Sequence, residues 1–217
     1  GTPNILSPAR FAAIADHLDQ RFDLFSLERH AVEIDPRILT EAHAEAFAAA
    51  GVNRVSLGVQ DLDERVQQGI GRIQPFETVR HAVDMLREAG IEALSFDLMY
   101  GLPHQTRDSV RETAERAASL SPARFSVFGY AHVPWFKTRQ KLMDEHALPG
   151  AAARFELADT LRETLQAAGY VTIGYDHYAR PDDPIAIAAR QGGLARNFQG
   201  FVETQPDALI GLGPSAI

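Results

Sequence analysis

Glu33, Gln60, Asp97 and the turn Tyr130-Ala-His-Val-Pro134 each stand at the carboxyl end of an apolar run, and Arg72 lies on a loop nearby. Carboxylates accept hydrogen bonds from hydroxyls or an amine, and a guanidinium takes a carboxylate in its fork. Together these groups suit a zwitterionic, ribose-bearing small molecule. Each residue alone is better explained as a cap or turn; it is their recurrence at successive strand ends that points to a ligand. Asp97 is the sharpest case, because it sits inside the apolar stretch Ser95-Phe-Asp-Leu-Met-Tyr100. A buried carboxylate is costly without a partner, so Asp97 is either paired within the fold or faces a pocket and grips a ligand there.

Other candidates carry less. Gly211-Leu-Gly213 is similar to a dinucleotide glycine turn, yet the third glycine, the helix and the later acid of that fingerprint are missing. The histidines form no H-E-x-x-H, and Asp176-His177 reads as a surface turn in preference to a metal ligand pair. The basic run Lys137 to Lys141 reads as a solvated face.

These groups need elements to hold them. Ser7-Pro8 opens a helix with Phe11, Ile14 and Leu18 on one face. Strands are expected at Ala31 to Ile34, Arg54 to Gln60, through Asp97, and Arg124 to Tyr130. Helices are expected from Thr40 to Gly51, briefly after Asp61, from Pro75 to Ala89, and from Asp108 to Leu120. Beyond Trp135 the rhythm loosens: a polar segment to Pro149, a long helix ending at Gly169, a strand from Tyr170 to Gly174, a turn at Asp176-His177-Tyr178, a helix from Pro184 to Gln191, and an apolar run from Ala208 to Ile217 that reads as a strand. The junction Ala-Gly recurs at Gly51, Gly90 and Gly169, with one out-of-phase junction near Ser121-Pro122. Alternating helices and strands imply parallel pairing with right-handed crossovers, as in an α/β barrel or a doubly wound sheet, with ligands at the carboxyl ends of the strands.

Composition narrows the partners. The 217 residues hold 21 basic and 29 acidic side chains, a net charge of -8, which argues against a nucleic-acid backbone as partner. No apolar run is long enough to span a membrane, and no secretory signal heads the chain. The chain has no cysteine, which excludes disulfides and thiolate metal sites within it and fits a cytoplasmic setting. The opening at Gly1-Thr-Pro3 and the close at Ile217 suggest that both ends are cut.

Six motifs occur here in one order: Glu33-Ile-Asp-Pro36, Gly58-Val-Gln-Asp61, Arg72-Ile-Gln-Pro75, Phe96-Asp-Leu-Met-Tyr-Gly-Leu-Pro103, Tyr130-Ala-His-Val-Pro-Trp135 and Arg196-Asn-Phe-Gln-Gly200. Across essentially its whole length the chain resembles the oxygen-independent coproporphyrinogen III oxidases, radical S-adenosylmethionine (SAM) enzymes of haem biosynthesis. The earlier motifs are shared with haem-chaperone relatives, and the last two are more specific to the oxidases.

The resemblance implies a partial (βα)6 TIM-like barrel over residues 1–135, lacking its first βα unit and cluster loop, and a C-terminal α/β extension over 136–217. It implies oxidative decarboxylation of two propionates of coproporphyrinogen III, giving protoporphyrinogen IX. In that family a 4Fe-4S cluster cleaves SAM to a 5′-deoxyadenosyl radical, and a second SAM lies near the first. The implied SAM contacts are Gly1, Thr2, Glu33, Gln60, Arg72, Asp97, Ala131 and Ile217, with Phe198 and Gln199 lining the substrate pocket. A monomer served by an electron donor is the expected form. The family's C-x3-C-x2-C motif precedes the glycine-rich loop in which this sequence begins, so the chain alone is expected to be inactive. It also has Gly71 where the family usually has His, Gly129 for Asn and Ala195 for His. A cysteine-free tetrapyrrole- or nucleoside-binding protein without catalysis is the alternative, and a nicotinamide enzyme on a doubly wound sheet ranks below it.

Overall fold

The alternation in the sequence becomes a six-stranded sheet of order β1-β2-β3-β4-β6-β5, seen in a computed structural model that describes residues 2–197, 200–204 and 207–213. β1 (Ala31–Ile34), β2 (Arg54–Gln60), β3 (Ala93–Tyr100) and β4 (Arg124–Gly129) run parallel. α1 (Pro8–Phe22) precedes them, and the crossovers carry α2 (Glu41–Ala49), then α3 (Glu64–Gly69) and α4 (Phe76–Glu88), then α5 (Arg107–Ser119). Strand residues alternate in burial: Val55, Leu57 and Val59 with Leu94, Phe96 and Leu98 join the core, while Arg54, Ser56, Gly58 and Gln60 are only half-buried. Side chains on successive strand positions point to opposite faces, so the core lies on the helical side. The other, inner face carries Ser56, Asp97 and Ser126.

The helix-to-strand junctions share one backbone device. Gly51, Gly90 and Gly169 take φ of 79°, 88° and 91°, the left-handed conformation that ends a helix and that side chains disfavour. The out-of-phase junction is of the same kind, with Ser121 at φ 52° behind α5 and its N–H bonded to Ala118 O at 2.8 Å. A Cβ there is held in a disfavoured region, so Ser121→Gly should raise stability by about 0.5–1 kcal/mol. A melting temperature that falls, or does not move, would contradict that account.

Two expectations are corrected beyond β4. α6 (Ala151–Ala167) leads into β5 (Val171–Ile173) and β6 (His177–Ala179), which pair antiparallel, and β6 also pairs antiparallel with β4. The Asp176-His177-Tyr178 segment is therefore largely strand where a turn was expected. Three residues are too few to show a period of two, and pairing on both sides makes them a strand. Within the apolar run from Ala208, residues 208–213 form no strand, and Leu209, Ile210 and Leu212 stand exposed; residues 214–217 lie outside the described ones. Among the described residues no helix is long and apolar enough to cross a membrane.

An ion cluster closes the inner face at the amino end of the strands. Arg124, at the start of β4, donates from Nε to Asp183 Oδ1 at 2.9 Å and also pairs with Glu203. Asp183 caps α7 (Pro184–Gln191), and Glu203 follows the hairpin of β7 (Ala195–Asn197) and β8 (Gly200–Val202). Arg54 Nη2 lies 3.6 Å from Asp183, and Arg29 Nη1 lies 2.9 Å from Glu203. The cluster thus ties strand starts to the C-terminal elements.

Candidate functional site

Asp97 faces inward near the carboxyl end of β3, opposite Gly58 of β2 and Ser126 of β4. Ser56 Oγ donates to Asp97 Oδ2 at 3.2 Å, and the Ser126 hydroxyl is its second protein partner. Burial pushes the carboxyl up to about 6; the two serines pull it down, and the charge of Glu33 pushes it up further. Two neutral hydroxyls do not compensate a buried charge as a cation would, so Asp97 retains acceptor capacity toward the open face.

The β2–β3 register shifts beside it. Gly58 pairs with Asp97 but Gln60 pairs with Leu98, a bulge, and Gln60 adopts φ 67°. Non-glycine residues at positive φ are uncommon, and bulges re-aim side chains. The bulge brings the Gln60 amide over Gly58, where an added Cβ would come within 2.9 Å of Gln60 Nε2 and 3.5 Å of Arg72 Nη2. Arg72 Nη2 donates to Gly58 O at 3.0 Å and lies 3.4 Å from Asp35. Gln74 Nε2 donates to the same carbonyl at 3.1 Å. Arg72 Nε and Gln74 Oε1 are buried without a partner in the protein. Groups in that state cost free energy until something pairs with them; Gln74 is fully buried, while the partly exposed Arg72 is the one that suits a polar ligand at this edge.

Glu33 lies on β1 with Ser56 as its cross-strand neighbour and is exposed to solvent. Thr2 opens the 3-10 turn Pro3–Ile5, which Asn4 fastens to the end of β1: its Nδ2 donates to Asp35 O at 2.8 Å, and Asp35 N–H donates to its Oδ1 at 3.2 Å. Ala131 follows β4 along the rim, and its carbonyl is taken by Gln140 Nε2 at 3.0 Å. Glu33, Gln60, Arg72 and Asp97 thus share the carboxyl edge of consecutive strands, with Thr2 and Ala131 at its borders. Gly1, Phe198, Gln199 and Ile217 lie outside the described residues.

Sequence reasoning missed Ser56, Ser126, Asp35 and Gln74. The serines lie on neighbouring strands, and only the register reveals that they meet Asp97. It also passed over Asp61, whose carboxyl is 1% exposed and pushed up to about 6 by burial. Asp61 accepts from Gln105 Nε2 at 2.6 Å, Asp63 N–H at 2.7 Å and Thr113 Oγ1 at 3.1 Å, linking the loops after β2 and β3 to α5.

A profile of the Radical SAM superfamily matches residues 1–117, more than half of the chain. The chain belongs to the radical SAM superfamily. Among curated radical SAM relatives, the oxygen-independent coproporphyrinogen III oxidase of Bradyrhizobium diazoefficiens is 51% identical over all 217 residues, which cover 48% of that protein. The protein of that name from Helicobacter pylori is 40% identical and is likewise covered over 48% of its length. The radical SAM coproporphyrinogen III oxidase of Escherichia coli superposes with a TM-score of 0.93 at 38% identity, over all of this chain and 50% of that one. The chain spans about half the length of the relatives it matches. The Elp3 protein of Methanocaldococcus infernus, at 14% identity and a TM-score of 0.58 over 74% of this chain and 42% of that one, shares the fold alone.

Proposed function

We propose that the carboxyl edge of the sheet binds SAM and that this chain is the cofactor-binding part of an oxygen-independent coproporphyrinogen III oxidase. The observation that carries the reading is the Asp97 carboxylate, held by two serine hydroxyls and no cation, on the strand position opposite Gly58, whose carbonyl takes the Arg72 guanidinium. The names of the relatives support oxidation of coproporphyrinogen III and leave the non-catalytic alternative unfavoured; the family resemblance makes that reaction the conversion of two propionates to vinyls. The full reading has two SAM molecules side by side, an electron donor as partner, and a cytoplasmic monomer.

When bound, SAM supplies hydrogen-atom abstraction at a substrate propionate. The residues here bind and orient it. Asp97 and Glu33 accept from ribose hydroxyls or the amine, Arg72 takes the carboxylate, and the amide of Gln60 fixes the remaining polar edge, while the buried Gln74 holds the Gly58 and Val59 carbonyls in place behind it. The polar inner wall of Ser56 and Ser126 keeps Asp97 aimed at the ligand. An iron–sulfur cluster, by contrast, finds no thiolate in these 217 residues, and no trio of His, Asp or Glu among the described residues is placed to hold a metal.

Calorimetric titration of SAM tests the reading. Asp97→Asn should weaken binding about tenfold, the range of one charge-assisted hydrogen bond, and should leave the melting temperature no lower because a desolvated charge is removed. Because ribose hydroxyls donate to the ionised form, the affinity of the unaltered chain should rise with pH through about 6 and level above it. Absence of SAM binding by the unaltered chain, or equal affinity in the variant, would overturn the assignment.

A further inference from the structure

The rim segment after β4 combines three exposed apolar side chains with three cations. Trp135 is 78% exposed, Phe136 73% and Leu142 89%, and Lys137, Arg139 and Lys141 alternate between them. A chain of net charge -8 would not concentrate cations beside bare aromatic rings merely to stay soluble. Nor are they loose. The Gln140 side chain bridges Ala131 O at 3.0 Å and Val133 N–H at 2.6 Å, while Phe136 and Lys137 N–H both bond Val133 O. The segment is therefore fixed to the turn that carries Ala131, at the carboxyl rim of the sheet. Lys137 Nζ sits 4.9 Å from the Phe136 ring centroid, so a cation and an aromatic face are presented together. The acids that follow are engaged elsewhere: Asp144 accepts from His146 N–H at 3.0 Å, and Glu145 lies 3.0 Å from His132 Nε2.

We infer that Trp135–Leu142 is a substrate-holding rim, in which Lys137, Arg139 and Lys141 pair with carboxylates of a tetrapyrrole while Trp135 and Phe136 cover its pyrrole faces. The inference rests on the oxidase reading and adds to it the residues that select a tetracarboxylate. Coproporphyrinogen has four propionates and loses two as carbon dioxide. A rim of three cations holds the substrate more tightly than the dicarboxylate product, which favours release once both groups have reacted. The charge complementarity is specific in number, since a product with two carboxylates leaves at least one rim cation without its anion.

Trp135 is the only tryptophan in the chain, so its fluorescence reports this rim directly. Coproporphyrin III, the stable oxidised form with the same four propionates, should quench it, with protoporphyrin IX as the dicarboxylate comparison. The unaltered chain should bind the tetracarboxylate more tightly, and added salt should reduce the difference. In a Lys137→Gln, Arg139→Gln, Lys141→Gln triple variant the coproporphyrin midpoint should shift about tenfold or more, as three rim charge pairs together supply, and the protoporphyrin midpoint should shift less, because its two carboxylates engage at most two of the three cations. Equal midpoints for coproporphyrin in the variant and the unaltered chain would overturn the rim and leave the oxidase reading standing. No porphyrin binding by the unaltered chain would overturn both.

Discussion

An Arg124→Met chain should unfold about 3 kcal/mol more easily than the unaltered one in urea. Arg124 is 6% exposed and holds Asp183, 4% exposed, at 2.6 Å, together with the half-buried Glu203. Methionine fills much of the same volume, so the loss comes from leaving two carboxylates short of their cation in a dry place. Arg54 at 3.6 Å and Arg29 at 2.9 Å remain to offset part of it, which keeps the expected loss at the low end of the range for breaking a buried pair. Asp183 Oδ1 also accepts from Ile185 N–H at 3.0 Å, so a released Asp183 loosens the first turn of α7 as well. An unchanged urea midpoint would show that the cluster does not hold the fold together.

The second large effect belongs to Asp61. Asp61→Ala removes the acceptor for Gln105, Thr113 and the Asp63 N–H in a site closed to water, and the chain should lose about 2–3 kcal/mol. The pH dependence has a definite sign. The folded carboxyl, pushed up to about 6 by burial against donors that pull it down, titrates above its ordinary value of 3.8. The folded state therefore binds more protons between those values than the unfolded state does. The stability tied to this group is present below about pH 4 and is lost as pH rises through 6, by up to about 3 kcal/mol for a shift of two units. Asp61→Asn cannot titrate, so its stability relative to the unaltered chain should improve from pH 4 to 7. A difference that stays flat across that window would contradict the burial of the charge.

The sheet was legible because β2, α4 and α7 carry strong local signals: alternation in one, a glycine stop in the next, and Asp-Pro at the start of the third. Asp97 was legible because a lone acid in an apolar strand must answer to something. Its partners were hidden, since Ser56 lies 41 positions away and meets it only through the register at Gly58. The bulge at Gln60 was equally hidden, for nothing in Gly-Val-Gln-Asp announces a left-handed glutamine. β6 was misread because it is held by pairing on both sides and has no pattern of its own. Asp61 was visible as a letter in a motif, but its work is to tie loops together, and that shows only when Gln105 and Thr113 are brought to it from 44 and 52 positions away.

The cluster around Arg124 also has a place in time. β1 to β4 can pair one after another as neighbouring crossovers close. The bonds to Glu203 instead join residues 79 and 174 positions apart and wait for the hairpin beyond α7. Contacts of that span carry a large loop-closure entropy, and we expect these to form late, after the barrier to folding has been crossed. In the Arg124→Met chain the lost stability should therefore appear as faster unfolding, with the refolding rate nearly unchanged. The cluster is a clasp fastened after the strands are laid down, and it governs how long the chain stays folded more than how quickly it gets there.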